Sequence, residues 1–182
     1  MIYNRPPYEP DKHGRSTHVD VRAATTDDIE AIARIDEAYG LGSVETLVPR
    51  ILASFERVAC GEDRGYDCVA SVKGGVVGYG RCRFRAWSEK EGGSGLPDGW
   101  YLAGLQVLAS HQRQGIGRAL TEDRLKWLGE RTDVVYYNAD EVNGPSIELH
   151  EVLGFVEVAR GLLPPFRSND ELQILGKKRL TR

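Results

Sequence analysis

Cysteine is scarce in this chain. There are three in 182 residues, Cys60, Cys68 and Cys82, and no two form a Cys-x-x-Cys pair. An odd count without paired spacing argues against a disulfide framework and against a zinc site, and it fits a reducing compartment. No metal site is expected, and the cysteines read as buried small hydrophobes. Long apolar runs are missing as well. No window approaches the roughly 18 consecutive apolar residues of a membrane span. The first residues, MIYNRPPYEPDKHG, lack the apolar core of a secretory leader. Positive charge is not in excess, since 27 Asp and Glu stand against 24 Lys and Arg, a net charge of −3. Bulk attraction to nucleic acid or to anionic lipid is therefore not expected. No internal repeat or low-complexity tract appears. These absences predict a cytoplasmic globular chain that binds neither nucleic acid nor membrane.

What the chain does have is glycine, 21 residues of it, placed where elements turn. Residues 1–17 hold three prolines and no apolar periodicity, and read as a flexible or surface arm. Residues 18–182 read as one domain. VDVRA (19–23) alternates like a strand, and TTDD supplies a Thr cap followed by acids at the positive end of a helix. Ile29, Ile32, Ala33 and Asp36 follow at helical spacing and Gly40 ends the run. A second helix is expected over about 44–59. CVASVK and VVGYGRCRFR, joined at Gly74-Gly75, predict a hairpin. Arg81, Arg83 and Arg85 alternate on the second strand and read as a solvated face. WYLAGLQV (100–107) is a further strand. About 115–131 is helical, with Ile116, Ala119, Leu120 and Trp127 on one face and Asp123 and Arg124 interrupting it. VVYYNA (134–139) is a short apolar strand. Pro145 suits a helix start and Gly154 its stop. FVEVA and ELQIL close the pattern. The fold class is α/β (α+β), with helices covering a central mixed sheet.

The most informative stretch joins the strand at 100–107 to the following helix. It runs Leu105-Gln106-Val107 and then Gln112-Arg113-Gln114-Gly115-Ile116-Gly117-Arg118. The first N–H groups of a helix have no internal partner, and the helix dipole makes that end positive. Glycine lets a phosphate approach such a backbone, because no Cβ intervenes. Arg113 and Arg118 add positive charge. The bland alternative is a tight strand-to-helix turn. Two known phosphate loops do not fit: Arg118-Ala119 replaces the Lys-Ser/Thr of a P-loop, and Leu120 stands where a dinucleotide fingerprint needs its third glycine.

Gln112-x-x-Gly115-x-Gly117 resembles the Q/R-x-x-G-x-G/A signature of the GNAT superfamily of acetyl-CoA-dependent N-acetyltransferases. A second segment, Asn143-x-x-Ser146-Ile147-x-Leu149-His150-x-x-Leu153-Gly154-Phe155, is similar to the family's N-x-x-A/S-x-x-L-Y-x-x-x-G-F. The resemblance covers about residues 19–175. It implies a central sheet of about seven strands flanked by four helices, opened in a V between the strands at 100–107 and 134–139. It implies acetyl-CoA as cofactor, its pyrophosphate held by main-chain amides of Gln112, Arg113, Gln114, Gly115, Ile116 and Gly117, with Arg118 beside them. It places amides near Leu105 and Val107 at the thioester, Asn143 at the pantetheine arm or its neighbouring backbone, and Ser146 near the phosphates. His150 stands where many members carry Tyr, so it is the candidate proton donor to the departing thiolate. Asp140 and Glu141 follow the strand at 134–139 and are the candidate bases. The cysteines and serines form no nucleophilic set at recognisable spacing, in keeping with direct attack by an amine.

For the acceptor, the variable segments hold Tyr39, Trp87, Trp100, Pro164, Pro165 and Phe166, with Glu37, Glu45, Glu89 and Glu91. Aromatics with carboxylates suit a small cationic amine. Two other functions stay open: acetylation of a protein Lys or N-terminus, and a non-catalytic acyl-CoA-binding module. A monomer or a homodimer fits equally.

Overall fold

The computed structural model describes residues 18–87, 96–161 and 172–180. The expected arm at 1–17, most of the loop at 87–99, and Pro164, Pro165 and Phe166 lie outside the described residues. In chain order the elements are β1 (Asp20–Ala23), α1 (Ile29–Ala38), α2 (Val44–Ala59), β2 (Gly65–Val72), β3 (Gly75–Arg85), β4 (Gly99–Val107), α3 (Ile116–Gly129), β5 (Val134–Asp140), α4 (Gly144–Val152), β6 (Val156–Gly161) and β7 (Gln173–Arg179). The seven strands are hydrogen-bonded in the order β1-β2-β3-β4-β5-β7-β6. β4 and β5 run parallel, pairing Trp100–Leu102 with Val135–Tyr137, while β5–β7 and β7–β6 are antiparallel. The expected mixed sheet with four α-helices is what the described residues form.

The described residues gather into two compact units, one within 1–81 and 104–124, the other within 82–103 and 125–182. In the first, alternation along β2 separates two apolar layers. Val69 faces Ile32, Ile35, Leu47, Ile51 and Tyr79, on the side of α1 and α2. Its neighbours Cys68 and Ala70 face Val77, Val107, Ile116 and Leu120, on the side of α3. α1 starts as its sequence requires. Asp28 accepts from the Thr25 N–H at 2.8 Å and from both Arg22 guanidinium nitrogens at 2.7 Å. In the second unit, β5 and β7 pair along their full length, Val134–Asp140 against Gln173–Arg179. Leu96, Tyr101 and Leu175 make one apolar cluster there, with Trp87, Tyr136 and Ala159 packed on it.

Four sequence readings are corrected here. The hairpin turns at Lys73 and Gly74, with φ of 51° and 81°, rather than at Gly74-Gly75. Two consecutive left-handed residues are what the twist of a two-residue hairpin favours, so β3 already begins at Gly75. Arg124 does not break the buried face of α3; it lies within it, 1% exposed. Its guanidinium donates to the carbonyls of Leu120 (3.1 Å), Arg81 (3.1 Å) and Gly104 (3.3 Å) and to Thr121 Oγ1 (2.8 Å). Enough acceptors converge there to offset the desolvation that normally keeps arginine outside. Two of the three arginines of β3 are not on a solvated face, since Arg83 is buried and Arg81 is half-buried and bound to Asp67 at 3.2 Å, while Arg85 is exposed. Among the cysteines, Cys68 and Cys82 are buried, but Cys60 is exposed at the end of α2.

Candidate active site

Near its C-terminal end β4 departs from regular pleating. Its pairing with β5 runs from Trp100 to Leu102, and Gly104 takes a φ of +79°. A left-handed glycine within a strand is the mark of a bulge, which turns backbone groups out of the ladder. Beyond it, Leu105 is half-buried and Val107 buried. The carbonyl of Val107 accepts from the Tyr39 hydroxyl at 2.6 Å and from Gln112 Nε2 at 3.4 Å. Gln112 Nε2 also donates to the Tyr39 hydroxyl at 2.7 Å. The side chain of the signature glutamine thus pins the glycine turn to the end of α1 and to the strand before it. That contribution comes from the side chain, where the sequence pointed only to the Gln112 backbone.

The turn itself carries two left-handed residues, Arg113 at φ 59° and Gly115 at φ 80°. Such alternation curls successive N–H groups toward one concavity. The first helical bond of α3 runs from the Ala119 N–H to the Gly115 carbonyl at 2.9 Å. The N–H groups of Gly115, Ile116, Gly117 and Arg118 donate to no backbone carbonyl among the described residues. Four open donors at the positive end of a 14-residue helix suit an anion of more than one charge. A Cβ built on Gly115 would meet nothing within 4 Å, so the ground above it is open. Arg118 is not free to serve that anion alone, because Glu122 accepts from its Nε at 2.8 Å.

The other candidate residues lie in the second unit. Asn143 stands at the cap of α4, where its carbonyl accepts from the N–H groups of Ser146 (3.0 Å) and Ile147 (3.1 Å). Its side chain makes no capping bond. Pro145 occupies the first turn and Gly154, at φ +84°, stops the helix, both as expected. His150 is buried, 4% exposed. Its ring stacks on Tyr137, with centroids 3.8 Å apart and planes 2° from parallel, and meets the edge of Phe155 at 5.1 Å. Its Nδ1 lies 2.7 Å from the Ser146 carbonyl. A carbonyl only accepts, so Nδ1 carries the proton; the neutral ring then presents a lone pair at Nε2, and only the imidazolium can give a proton there. Tyr137 lies flat over Gly176, where a Cβ would come within 1.9 Å of its ring. A glycine in β7 therefore sets the depth of the Tyr137–His150 stack. Burial pushes the Tyr137 hydroxyl above its usual range.

The candidate bases differ in their surroundings. Asp140, at the end of β5, is buried. Glu141 accepts from Arg160 Nη1 at 3.3 Å, and Arg160 is also bound by both oxygens of Glu157. Glu141 is thus held by a cation, while Asp140 is withdrawn from solvent. Of the acceptor candidates, Tyr39 and Trp100 are core residues, and Glu37 accepts from the Val44 N–H at 3.0 Å, joining α1 to α2.

A protein-family model described as the acetyltransferase (GNAT) family matches residues 29–155. The chain belongs to this family. The chain is 36% identical over 98 residues to an N-alpha-acetyltransferase of Sulfurisphaera tokodaii, a match over 50% of this chain and 56% of that protein. It therefore spans about half the length of that curated relative. Among solved structures it resembles a Salmonella typhimurium protein solved with its cofactor acetyl-CoA, with a TM-score of 0.69 and 22% identity over 90% of this chain and 95% of that one. The ribosomal-protein-alanine N-acetyltransferase of Brucella melitensis gives 0.67 and 24% over 88% and 99%. At such identities these structures establish the fold. No helix of the described residues is long and apolar enough to cross a membrane.

Sequence reasoning missed a second cluster of polar groups, in the first unit. Asp36 in α1 is buried, accepts from the Tyr79 hydroxyl, and lies 4.0 Å from Arg81 Nη2. Burial pushes its carboxyl above the ordinary range, against the Tyr79 hydrogen bond and the fields of Arg81 and Arg50. Its helical spacing with Ile29 and Ile32 disguised it as one more polar residue at the margin of a face.

Proposed function

We propose that the enzyme moves the acetyl group of acetyl-CoA to the α-amino group of a peptide or protein, by direct attack of the amine within a ternary complex. The observation that carries the cofactor's placement is the run of four open N–H groups from Gly115 to Arg118. These would hold the pyrophosphate, with Gln112, Arg113 and Gln114 completing the turn. Acetyl-CoA supplies the activated thioester. The amides near Leu105 and Val107, past the Gly104 bulge, are the donors for its oxygen, where a preorganised hydrogen bond is worth about 3–4 kcal/mol as charge develops. Asn143 and Ser146 are assigned to the pantetheine arm and the phosphates. His150, as imidazolium, is the proton donor to the thiolate. Asp140, buried at the end of β5, and Glu141, held by Arg160, are the two candidate bases.

The α-amino acceptor is supported by the N-alpha-acetyltransferase relative and by likeness to an enzyme acting on a ribosomal-protein alanine. A small cationic amine is the second reading, favoured by the net charge of −3. We assign residues 18–182 to one catalytic domain, since the family match runs through both units. A cytoplasmic location accords with three cysteines in the thiol form. The test is thiol release from acetyl-CoA over a panel of peptides with free N-termini and a panel of small cationic amines at matched concentration. Peptides should turn over faster. The reverse order makes the small amine the acceptor, and no release with any amine leaves a binding module without catalysis.

A further inference from the structure

The inner face of α2 is not closed by apolar side chains along its whole length. Beside Leu47 and Ile51 it carries Arg50, Ser54 and Arg57, and these, with Asp36 of α1 and Arg81 of β3, line an open cleft of about 370 Å³. A helix laid on a sheet normally buries this stripe. Here the stripe is polar and the space remains, at the low end of the size range of small-molecule sites.

The charges in the cleft are unequally matched. Arg57 donates to Asp63 at 2.9 Å. Arg81 Nε faces Asp67 at 3.2 Å. Arg81 Nη2 is buried and makes no hydrogen bond among the described residues; Asp36 Oδ2, at 4.0 Å, is beyond reach. A buried guanidinium N–H without an acceptor is costly, and in folded proteins it usually serves a water or a bound oxygen. Arg50 is exposed and has no ion-pair partner among the described residues. Against these two cations stand Asp67, which holds Arg81 through Nε alone, and Asp36, whose carboxyl already takes the Tyr79 hydroxyl and is biased by burial toward its neutral form. The vacant bonding capacity is therefore donor capacity. Two guanidinium groups match the acceptor-only oxygens of a carboxylate.

We propose that the cleft between α2 and β3 is an anion site that takes a carboxylate of the acceptor peptide, so that the enzyme prefers acidic substrates. This rests on the reading of the protein as a peptide α-amine acetyltransferase. Arg50 supplies the charge at the mouth and Arg81 the inner hydrogen bond. Both act on binding and touch no reacting atom.

The test has two arms. In the first, one Glu is walked along a neutral peptide with a free N-terminus, each position compared with Gln, and kcat/KM is read by thiol release. At one position Glu should exceed Gln by about 10- to 100-fold, the worth of a hydrogen bond to a charged group, and the gain should lie in KM. Arg50→Gln, an exposed change that leaves the fold intact, should abolish most of that gain while neutral peptides turn over as before. Equal turnover of Glu and Gln at every position, or a preference for Lys, overturns the anion site but not acetyl transfer. The second arm needs no turnover. N-acetylglutamate is titrated against 15N-labelled protein while the side-chain Nε–H signals of Arg50 and Arg81 are followed, with inorganic phosphate as a parallel titrant. Saturable shifts with N-acetylglutamate, weaker with phosphate, support a carboxylate site. Unmoved signals overturn it, and stronger shifts with phosphate make it a phosphate site instead. If no peptide turns over yet N-acetylglutamate binds, the acceptor reading falls and the anion site stands.

Discussion

Replacing Gly115 with Ala separates the cost of folding the glycine turn from the cost of binding at it. The residue has a φ of +80°, and an added Cβ would meet nothing within 4 Å. The folding penalty is therefore backbone strain alone, about 1–2 kcal/mol for an L-residue held in the left-handed region. In a chain of this length that lowers the melting temperature by roughly 2–8 °C. Binding suffers differently. The methyl group occupies the open ground over the Gly115–Arg118 N–H groups, and each hydrogen bond to a charged oxygen is worth about 1.5–3 kcal/mol. Losing one weakens coenzyme A by roughly 10- to 150-fold. The matched control is Gly74→Ala in the hairpin turn, where φ is +81° and the space is equally open. Both variants should lose similar stability in thermal scans. Only Gly115→Ala should lose affinity in calorimetry with coenzyme A. Equal affinities for the two folded variants would refute the assignment of the pyrophosphate to this turn.

Two further outcomes follow from other contacts. His150→Ala should lower kcat by about 100-fold with little change in KM for acetyl-CoA, because a donor to the thiolate acts late in the reaction; His150→Tyr should recover part of the rate, and near-full kcat for the Ala variant from pH 6 to 9 reduces the residue to packing. Arg22→Met should cost about 1 kcal/mol at neutral pH, since it removes the half-exposed partner of the buried Asp28. The Arg22 hydrogen bonds hold the Asp28 carboxyl below its ordinary range, so this stabilisation is full above the unfolded value near pH 4 and fades as the pH falls below it. Urea unfolding at pH 7 and at pH 2.5 should show the gap between wild type and variant closing, and a constant gap rules out the linkage.

Local features of the chain set much of the architecture without tertiary help. The helix over Val44–Ala59 follows from its periodicity, the start of α1 from Thr25 and Asp28, and the limits of α4 from Pro145 and Gly154. Each is decided by backbone preference and by side chains a few residues apart. The glycine turn belongs to the same class, because its two left-handed residues and the open end of α3 arise within one short segment. Long-range contacts decided the rest. Arg124 looks like a break in an amphipathic face until carbonyls of β3 and β4, distant in sequence, arrive to accept its hydrogen bonds. Gln112 reads as backbone support until Tyr39, at the end of α1, comes within 2.7 Å of its side chain. His150 reads as a general acid by position alone, but the Ser146 carbonyl sets its tautomer and Tyr137, seated on Gly176, sets its plane. Asp36 and Arg81 carry no motif at all. Their significance comes from burial and from the cleft beside them, and those exist only once α2 lies on the sheet. A sequence records which groups are available; desolvation and the meeting of distant donors with acceptors are properties of the folded chain.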